Sequence, residues 1–160
     1  MKKLFAIVTT LFIVCSSTFA FDGKTFWKEY GGGLKNGDSL VQAGVGFGGI
    51  LTPNVSYERM FHINNTLPLS FGGMAGVGIG SGLWVDAAAT AKWHFNFGID
   101  KLDVYINAMA GVSLWLSNGV HPGFLWGTNA GATWFFTDKI AATVESGYPY
   151  WVNAKFTMKF

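Results

Sequence analysis

The stretch LDVYINAMAGVSLWL, Leu102–Leu116, carries the clearest structural pattern in the chain. Apolar side chains occupy every second position, while the charged or amide side chains, Asp103 and Asn107, fall at the positions between them. Because side chains alternate between the two faces of a β-strand, this pattern indicates a strand with one apolar and one polar face. The stretch is longer than the roughly 9–11 residues that a tilted strand needs to cross a membrane. It therefore predicts a membrane-crossing β-strand.

The same alternation recurs along the chain between turn signals rich in Gly, Pro, Asn and Asp. It is weaker near 53–62, where the phase puts Arg59 on the apolar face, from which its long side chain could reach the membrane edge. We predict an all-β fold, an antiparallel up-and-down transmembrane β-barrel of about eight strands. The predicted strands cover 39–49, 53–62, 67–80, 83–96, 101–116, 121–136, 139–148 and 150–160.

The composition agrees with a surface that faces lipid. The 160 residues are 50% hydrophobic and only 12% charged, about half the charged fraction of an average soluble domain. Removal of Lys2 and Lys3 with a signal peptide would reduce the 11 basic residues to 9, equal to the 9 acidic ones. The resulting neutral chain lacks the basic patch that nucleic-acid binding requires.

The N-terminus has the three parts of a secretory signal peptide. Lys2 and Lys3 precede an apolar run, and Thr18-Phe19-Ala20 offers a small-x-small cleavage site. We therefore expect a signal peptide at 1–20, a leader segment at 21–38 and the barrel at 39–160. Cys15, the single cysteine, lies inside the signal peptide, so the mature chain would form no disulfide. Lipidation of Cys15 remains an alternative, although Val14 before it is larger than such sites usually accept.

Two other folds compete with the transmembrane barrel. A polytopic helical membrane protein would explain the uncharged run 66–85, but six glycines in 72–82 would each cost a helix about 0.8–1 kcal/mol. A soluble barrel would turn its apolar face inward. Its outer face would then consist of Gly, Ser, Thr, Asn and few charges, which suits the filling of a narrow lumen better than a soluble surface.

The pattern resembles the small bacterial outer-membrane barrels of the OmpX/OmpA and OmpW types. The most specific part of the resemblance is the end of the chain, where such barrels carry a final Phe preceded by apolar residues at every second position. Met158 departs from the aromatic residue often found there. The resemblance implies that outer-membrane lipids and the outer-membrane assembly machinery are partners of this chain. The implied assembly signal consists of Val152, Ala154, Phe156, Met158 and Phe160.

Aromatic residues cluster near the predicted strand ends, as expected for the girdles at the two membrane interfaces. The girdle residues that we predict are Trp93, Phe95, Trp126, Trp134 and Phe136.

No motif predicts an enzyme, a cofactor or a metal site. Gly44–Gly49 matches G-x-G-x-x-G, but the turn Thr52-Pro53 follows it, and a dinucleotide site needs a helix there. His62, His94 and His121 lack the spacing of metal ligands. Some outer-membrane barrels modify lipids with a Ser and a His, so a lipid-modifying enzyme remains a less favoured alternative.

Charged side chains on the predicted inner face must meet each other or water, because an unpaired buried charge is costly. We expect Lys92 or Lys155 to pair with Glu58, Asp86 or Glu145 in a lumen charge network; Asp103 and Lys159 share that face. Two functions remain open: a structural or surface-interaction barrel with a largely filled lumen, or a narrow OmpW-like channel for small solutes, apolar ones included. In either case we expect a monomer in the bacterial outer membrane.

Overall fold

The computed structural model describes residues 25–64, 66–80, 82–116 and 119–160. The predicted signal peptide and Cys15 lie outside these ranges. Eight antiparallel strands of the described chain close into one barrel, in which each strand pairs with the next and β8 pairs with β1. The predicted all-β up-and-down barrel is confirmed. The strands are β1 Ser39–Phe47, β2 Leu51–Ile63, β3 Leu67–Ile79, β4 Leu83–Phe95, β5 Leu102–Leu116, β6 Val120–Phe135, β7 Ile140–Tyr148 and β8 Val152–Lys159.

Every strand lies within about two residues of its predicted range, and the differences arise at turns. β1 ends at Phe47 rather than at position 49, because Gly49 adopts a φ of 102°, which belongs to a turn rather than to a strand. β8 begins at Val152 rather than at position 150, because Pro149 and Tyr150 form the turn that follows β7.

The two faces of the sheet differ as the alternation predicts. Along β5, for example, Asp103, Tyr105 and Asn107 are buried in the lumen, whereas Ile106 and Val112 are exposed on the outer face. Arg59 lies on the outer face of β2, near one end of the barrel. No helix in the described ranges is long and apolar enough to cross a membrane.

The lumen is filled in layers along the barrel axis. We call the end where β1 begins and β8 ends the lower end, and the opposite end the upper end. A buried apolar cluster near the lower end and a second one towards the upper end enclose a polar middle layer. The lower cluster comprises Tyr30, Leu34, Leu40, Met60, Phe135 and Ala141, and the upper cluster comprises Met74, Ala88, Met109, Leu125 and Tyr150.

The wall of the barrel has unequal height at the upper end. The pairing of β6 with β7 stops at Thr128 and Tyr148, so residues 120–127 of β6 extend past the end of β7. On the other side, β6 stays paired with β5 as far as Val120 and Leu116. The upper mouth is therefore bordered by a tall wall at β5–β6 and a low wall at β7–β8.

Residues 25–38 of the leader fold back across the lower end. The Tyr30 hydroxyl donates a hydrogen bond of 2.8 Å to the Leu69 carbonyl, and the Tyr30 ring packs against His62 and His94. Burial raises the pKa of the Tyr30 hydroxyl well above its usual value, which keeps this donor protonated. The leader thereby closes the lower mouth.

Candidate functional site

The middle layer of the lumen is a buried ion-pair network contributed by four strands. Lys92 of β4 places its Nζ 3.0 Å from Glu58 Oε1 and 3.6 Å from Glu145 Oε1. The Nζ of Lys155 lies 2.8 Å from Glu145 Oε2. All four side chains are nearly excluded from solvent. Two ammonium groups thus alternate with two carboxylates, which is the arrangement that offsets the cost of removing charges from water.

Neutral side chains complete the hydrogen bonding of Glu145. Tyr105 donates to Glu145 Oε1 over 2.7 Å, and the Asn153 amide donates to Oε2 over 3.1 Å. The Lys92 ammonium also lies 4.1 Å from the centre of the Tyr105 ring. A Cβ atom at Gly131 would overlap this ring, so the absence of a side chain at position 131 lets Tyr105 reach the network.

A second buried chain of hydrogen bonds joins the network to the lower end. Asp103 Oδ2 lies 2.9 Å from His94 Nδ1, and His94 Nε2 lies 2.9 Å from Ser70 Oγ. Ser70 donates its own proton to Glu58 Oε2 over 2.8 Å. The Ser–His–Asp order is that of a hydrolase triad, so the direction of each hydrogen bond decides what this chain of contacts can do.

The proton of Ser70 is directed away from His94. Ser70 donates its single hydroxyl proton to Glu58, whereas a serine nucleophile passes its proton to the histidine. Ser70, His94 and Asp103 are also fully buried. The arrangement is a closed structural relay rather than a site that a substrate could reach.

The formal charges of the ion-pair network cancel. The carboxylates of Glu58 and Glu145 balance the ammonium groups of Lys92 and Lys155. The network is formally neutral inside the lumen.

The lumen has almost no free space at the level of this network. A cavity of about 10 Å³, roughly the space of one water, lies among Glu58, Lys92, Glu145 and Lys155. The two apolar clusters lie on either side of it. The interior at this level is therefore packed with side chains.

Asp86 is not part of the ion-pair network, which corrects its predicted place there. It lies on β4 six positions before Lys92, a separation of about 20 Å along the strand. Its Oδ2 accepts a hydrogen bond of 3.1 Å from the Tyr150 hydroxyl, and no ion pair joins it to another described residue. Asp86 instead lines a cavity of about 170 Å³ at the upper mouth.

The predicted girdle residues divide into exposed and covered ones. Trp126, Trp134 and Phe136 are exposed on the outer face. Phe95 is buried, which corrects its predicted exposure, because Phe26 and Trp27 of the leader pack against its ring at 5.3 and 5.4 Å. Trp93 is half-buried, with its ring 5.4 Å from that of Trp27. The leader therefore also covers the outer rim of β4.

All members of the predicted assembly signal lie on the outer face near β8. Val152, Phe156, Met158 and Phe160 are between 42% and 69% exposed, and Ala154 is also exposed, so none of the described residues covers this row.

Sequence reasoning did not identify the hydrogen-bonded relay of Ser70, His94 and Asp103, or the plug that Tyr30 of the leader forms in the lower mouth. The alternation does place Ser70, His94 and Asp103 on inner faces, but their contact depends on the register between strands β3, β4 and β5. In the described ranges no three His, Cys, Asp or Glu side chains lie close enough together to hold a metal ion.

Comparisons with known proteins support the fold. No protein-family model and no curated protein matches the sequence. Among solved structures, the N-terminal β-barrel domain of Pseudomonas aeruginosa OprF is similar, with a TM-score of 0.60 and 14% sequence identity. The match covers 78% of this chain and 98% of that domain. At this identity the likeness shows a shared barrel fold.

Proposed function

We propose that this protein is an integral outer-membrane β-barrel with a structural, non-enzymatic role, and that its lumen is closed to solutes. The observation that carries the proposal is the contrast between the two faces of the sheet. Apolar side chains cover the outside, while a neutral, hydrogen-bonded network fills the inside.

The outer face supports embedding in lipid. Exposed large apolar side chains occur on all eight strands, far beyond the patch that a soluble monomer normally exposes. Arg59 is the one charged side chain that the described strands turn outward, and its position near the lower end suits a side chain that reaches the membrane edge. A closed sheet also pairs the backbone groups that lipid could not satisfy.

A barrel with an apolar outer face and a signal peptide would be exported to the bacterial outer membrane. The signal peptide expected at 1–20 would direct the chain across the inner membrane. The resemblance to OmpX/OmpA-type barrels adds the assembly machinery as a partner, through the exposed row that ends at Phe160. The described molecule forms a complete barrel by itself, which favours a monomer.

The packed lumen favours a structural role over the alternative of a narrow channel. A solute would have to cross the lower plug around Tyr30, the ion-pair layer and the upper apolar cluster in turn. Displacing Lys92 or Glu145 would leave a buried charge without its partner. The donation of the Ser70 proton to Glu58 and the complete burial of Ser70 and His94 likewise favour a non-enzymatic barrel.

Planar-bilayer recording of the refolded mature protein tests the proposal. We expect no stepwise conductance from protein that co-floats with lipid vesicles, because flotation shows that the protein is inserted. Reproducible conductance steps whose amplitude changes in Lys92→Met would instead favour the channel. Failure of correctly refolded protein to float with vesicles would contradict membrane embedding itself.

A further inference from the structure

Asp86 differs from the other carboxylates inside the barrel. Glu58, Asp103 and Glu145 each lie within 3.0 Å of a cationic nitrogen or of a histidine that can carry charge. Asp86 is only 8% exposed, yet the one side-chain hydrogen bond that it accepts in the described chain comes from the neutral Tyr150 hydroxyl. A buried carboxylate without a countercharge is costly. This carboxylate is therefore suited to a positive charge that comes from outside the chain.

The cavity beside Asp86 has both polar and apolar walls. It measures about 170 Å³ and lies at the upper mouth, where the low β7–β8 wall borders it with Pro149 and Tyr150. Its remaining walls are mostly apolar or aromatic, with hydroxyl groups as the other polar contributions. Principal lining residues are Ile50, Thr52, Trp84, Asp86, Leu125 and Tyr150.

Trp84 provides a rigid aromatic wall. Its ring stacks on that of Trp115, with centroids 5.5 Å apart and planes inclined by 17°. Stacking fixes the orientation of Trp84, so that little side-chain freedom would be lost when a ligand packs against it. Aromatic faces also attract organic cations. Trp84 and Asp86 therefore favour the same type of ligand charge.

We propose that the upper mouth is a binding site for a small organic ammonium compound whose ammonium group pairs with Asp86 and whose apolar body packs against Trp84, Ile50 and Leu125. A cavity of about 150 Å³ accommodates benzene, so this one accepts a single ring or a short chain. A metal ion fits less well, because it requires several oxygen ligands and most of these walls are apolar. The proposed structural barrel would thus bind a ligand at its upper mouth, and no solute would need to pass through the lumen.

Titration of the refolded mature protein with phenethylammonium tests the assignment. We expect saturable binding by calorimetry in zwitterionic micelles, and at least about tenfold weaker binding to Asp86→Asn, because the isosteric amide removes only the charge. The neutral analogue 2-phenylethanol should bind wild type and Asp86→Asn alike. Partition of the probe into micelles is equal in both titrations and therefore cancels in the comparison.

Two further variants separate binding from folding. Asp138→Asn removes a carboxylate from the exposed turn between β6 and β7, at the lower end of the barrel, so we expect phenethylammonium binding to be retained. Trp84→Leu keeps the charge and removes the aromatic wall, so we expect weaker binding than in wild type. Equal affinity of wild type and correctly folded Asp86→Asn for phenethylammonium would overturn the assignment, as would equal affinity of wild type for 2-phenylethanol and phenethylammonium.

Discussion

Lys92 connects the two halves of the ion-pair network, since it approaches both Glu58 and Glu145. We expect Lys92→Met to lower the free energy of unfolding by about 3–5 kcal/mol, because two buried carboxylates would lose a shared cation. Urea unfolding of the refolded barrel, followed by tryptophan fluorescence, measures this change.

Lys139 supplies the matched control. It lies exposed in the turn between β6 and β7, so Lys139→Met should change the free energy of unfolding by no more than about 0.5 kcal/mol. In the double variant Lys92→Met/Glu58→Gln, one of the unpaired charges is absent, and the loss should be smaller than the sum of the single losses. Unchanged stability in Lys92→Met would mean that water enters the middle layer and solvates the carboxylates.

At the scale of strands, β8 completes the sheet by pairing with β1. Beyond the end of the strand itself, Ser39 N–H donates to the Phe160 carbonyl over 3.1 Å, and Phe160 N–H donates to the Ser39 carbonyl over 2.9 Å. The ring of Phe160 points away from the barrel and is 69% exposed. A substitution at position 160 can therefore remove the ring and leave in place the backbone hydrogen bonds that close the barrel.

We expect Phe160→Ala to lower the amount of protein in the outer membrane and to raise its degradation in the periplasm. The backbone pairing with Ser39 remains possible in this variant, so the defect would arise from loss of the ring that the assembly machinery is proposed to read. Phe160→Tyr keeps an aromatic ring and should assemble normally. Immunoblots of fractionated cells compare the variants with wild type. Equal outer-membrane levels in all three proteins would argue against recognition of Phe160.

At the scale of the whole molecule, the closed sheet pairs every strand of the described barrel with a neighbour on both sides. Unfolding must therefore break strand pairs on both sides of every strand, which favours a folded form that resists detergent. We expect unboiled and boiled samples of the mature protein to migrate differently on a denaturing gel.

Two measurements serve as controls for this gel experiment. Protein kept in concentrated urea until loading should migrate like the boiled sample, since its barrel is absent. The circular dichroism spectrum of the unboiled form should be dominated by β-structure. Identical migration of all samples, or a spectrum dominated by helix, would contradict a stable barrel.

The sequence alone determined which segments form strands and which face of each strand is apolar. This is possible because alternation is a local property: the side-chain period of a strand is two residues whatever lies beside it. Val104, Ile106 and Ala108 could thus be assigned to one face and Asp103 and Asn107 to the other without knowledge of any neighbour. The sequence also placed the charged residues of the lumen on inner faces.

Only the tertiary structure decided which inner side chains meet. The stagger between paired strands brings Ser70, His94 and Asp103 into one relay and places Glu58 and Glu145, rather than Asp86, beside the ammonium groups. The leader shows no alternation of apolar and polar residues, and its packing over Phe95 depends on contacts between distant parts of the chain. Register and long-range packing arise from the closed barrel as a whole, and a local pattern carries no information about either.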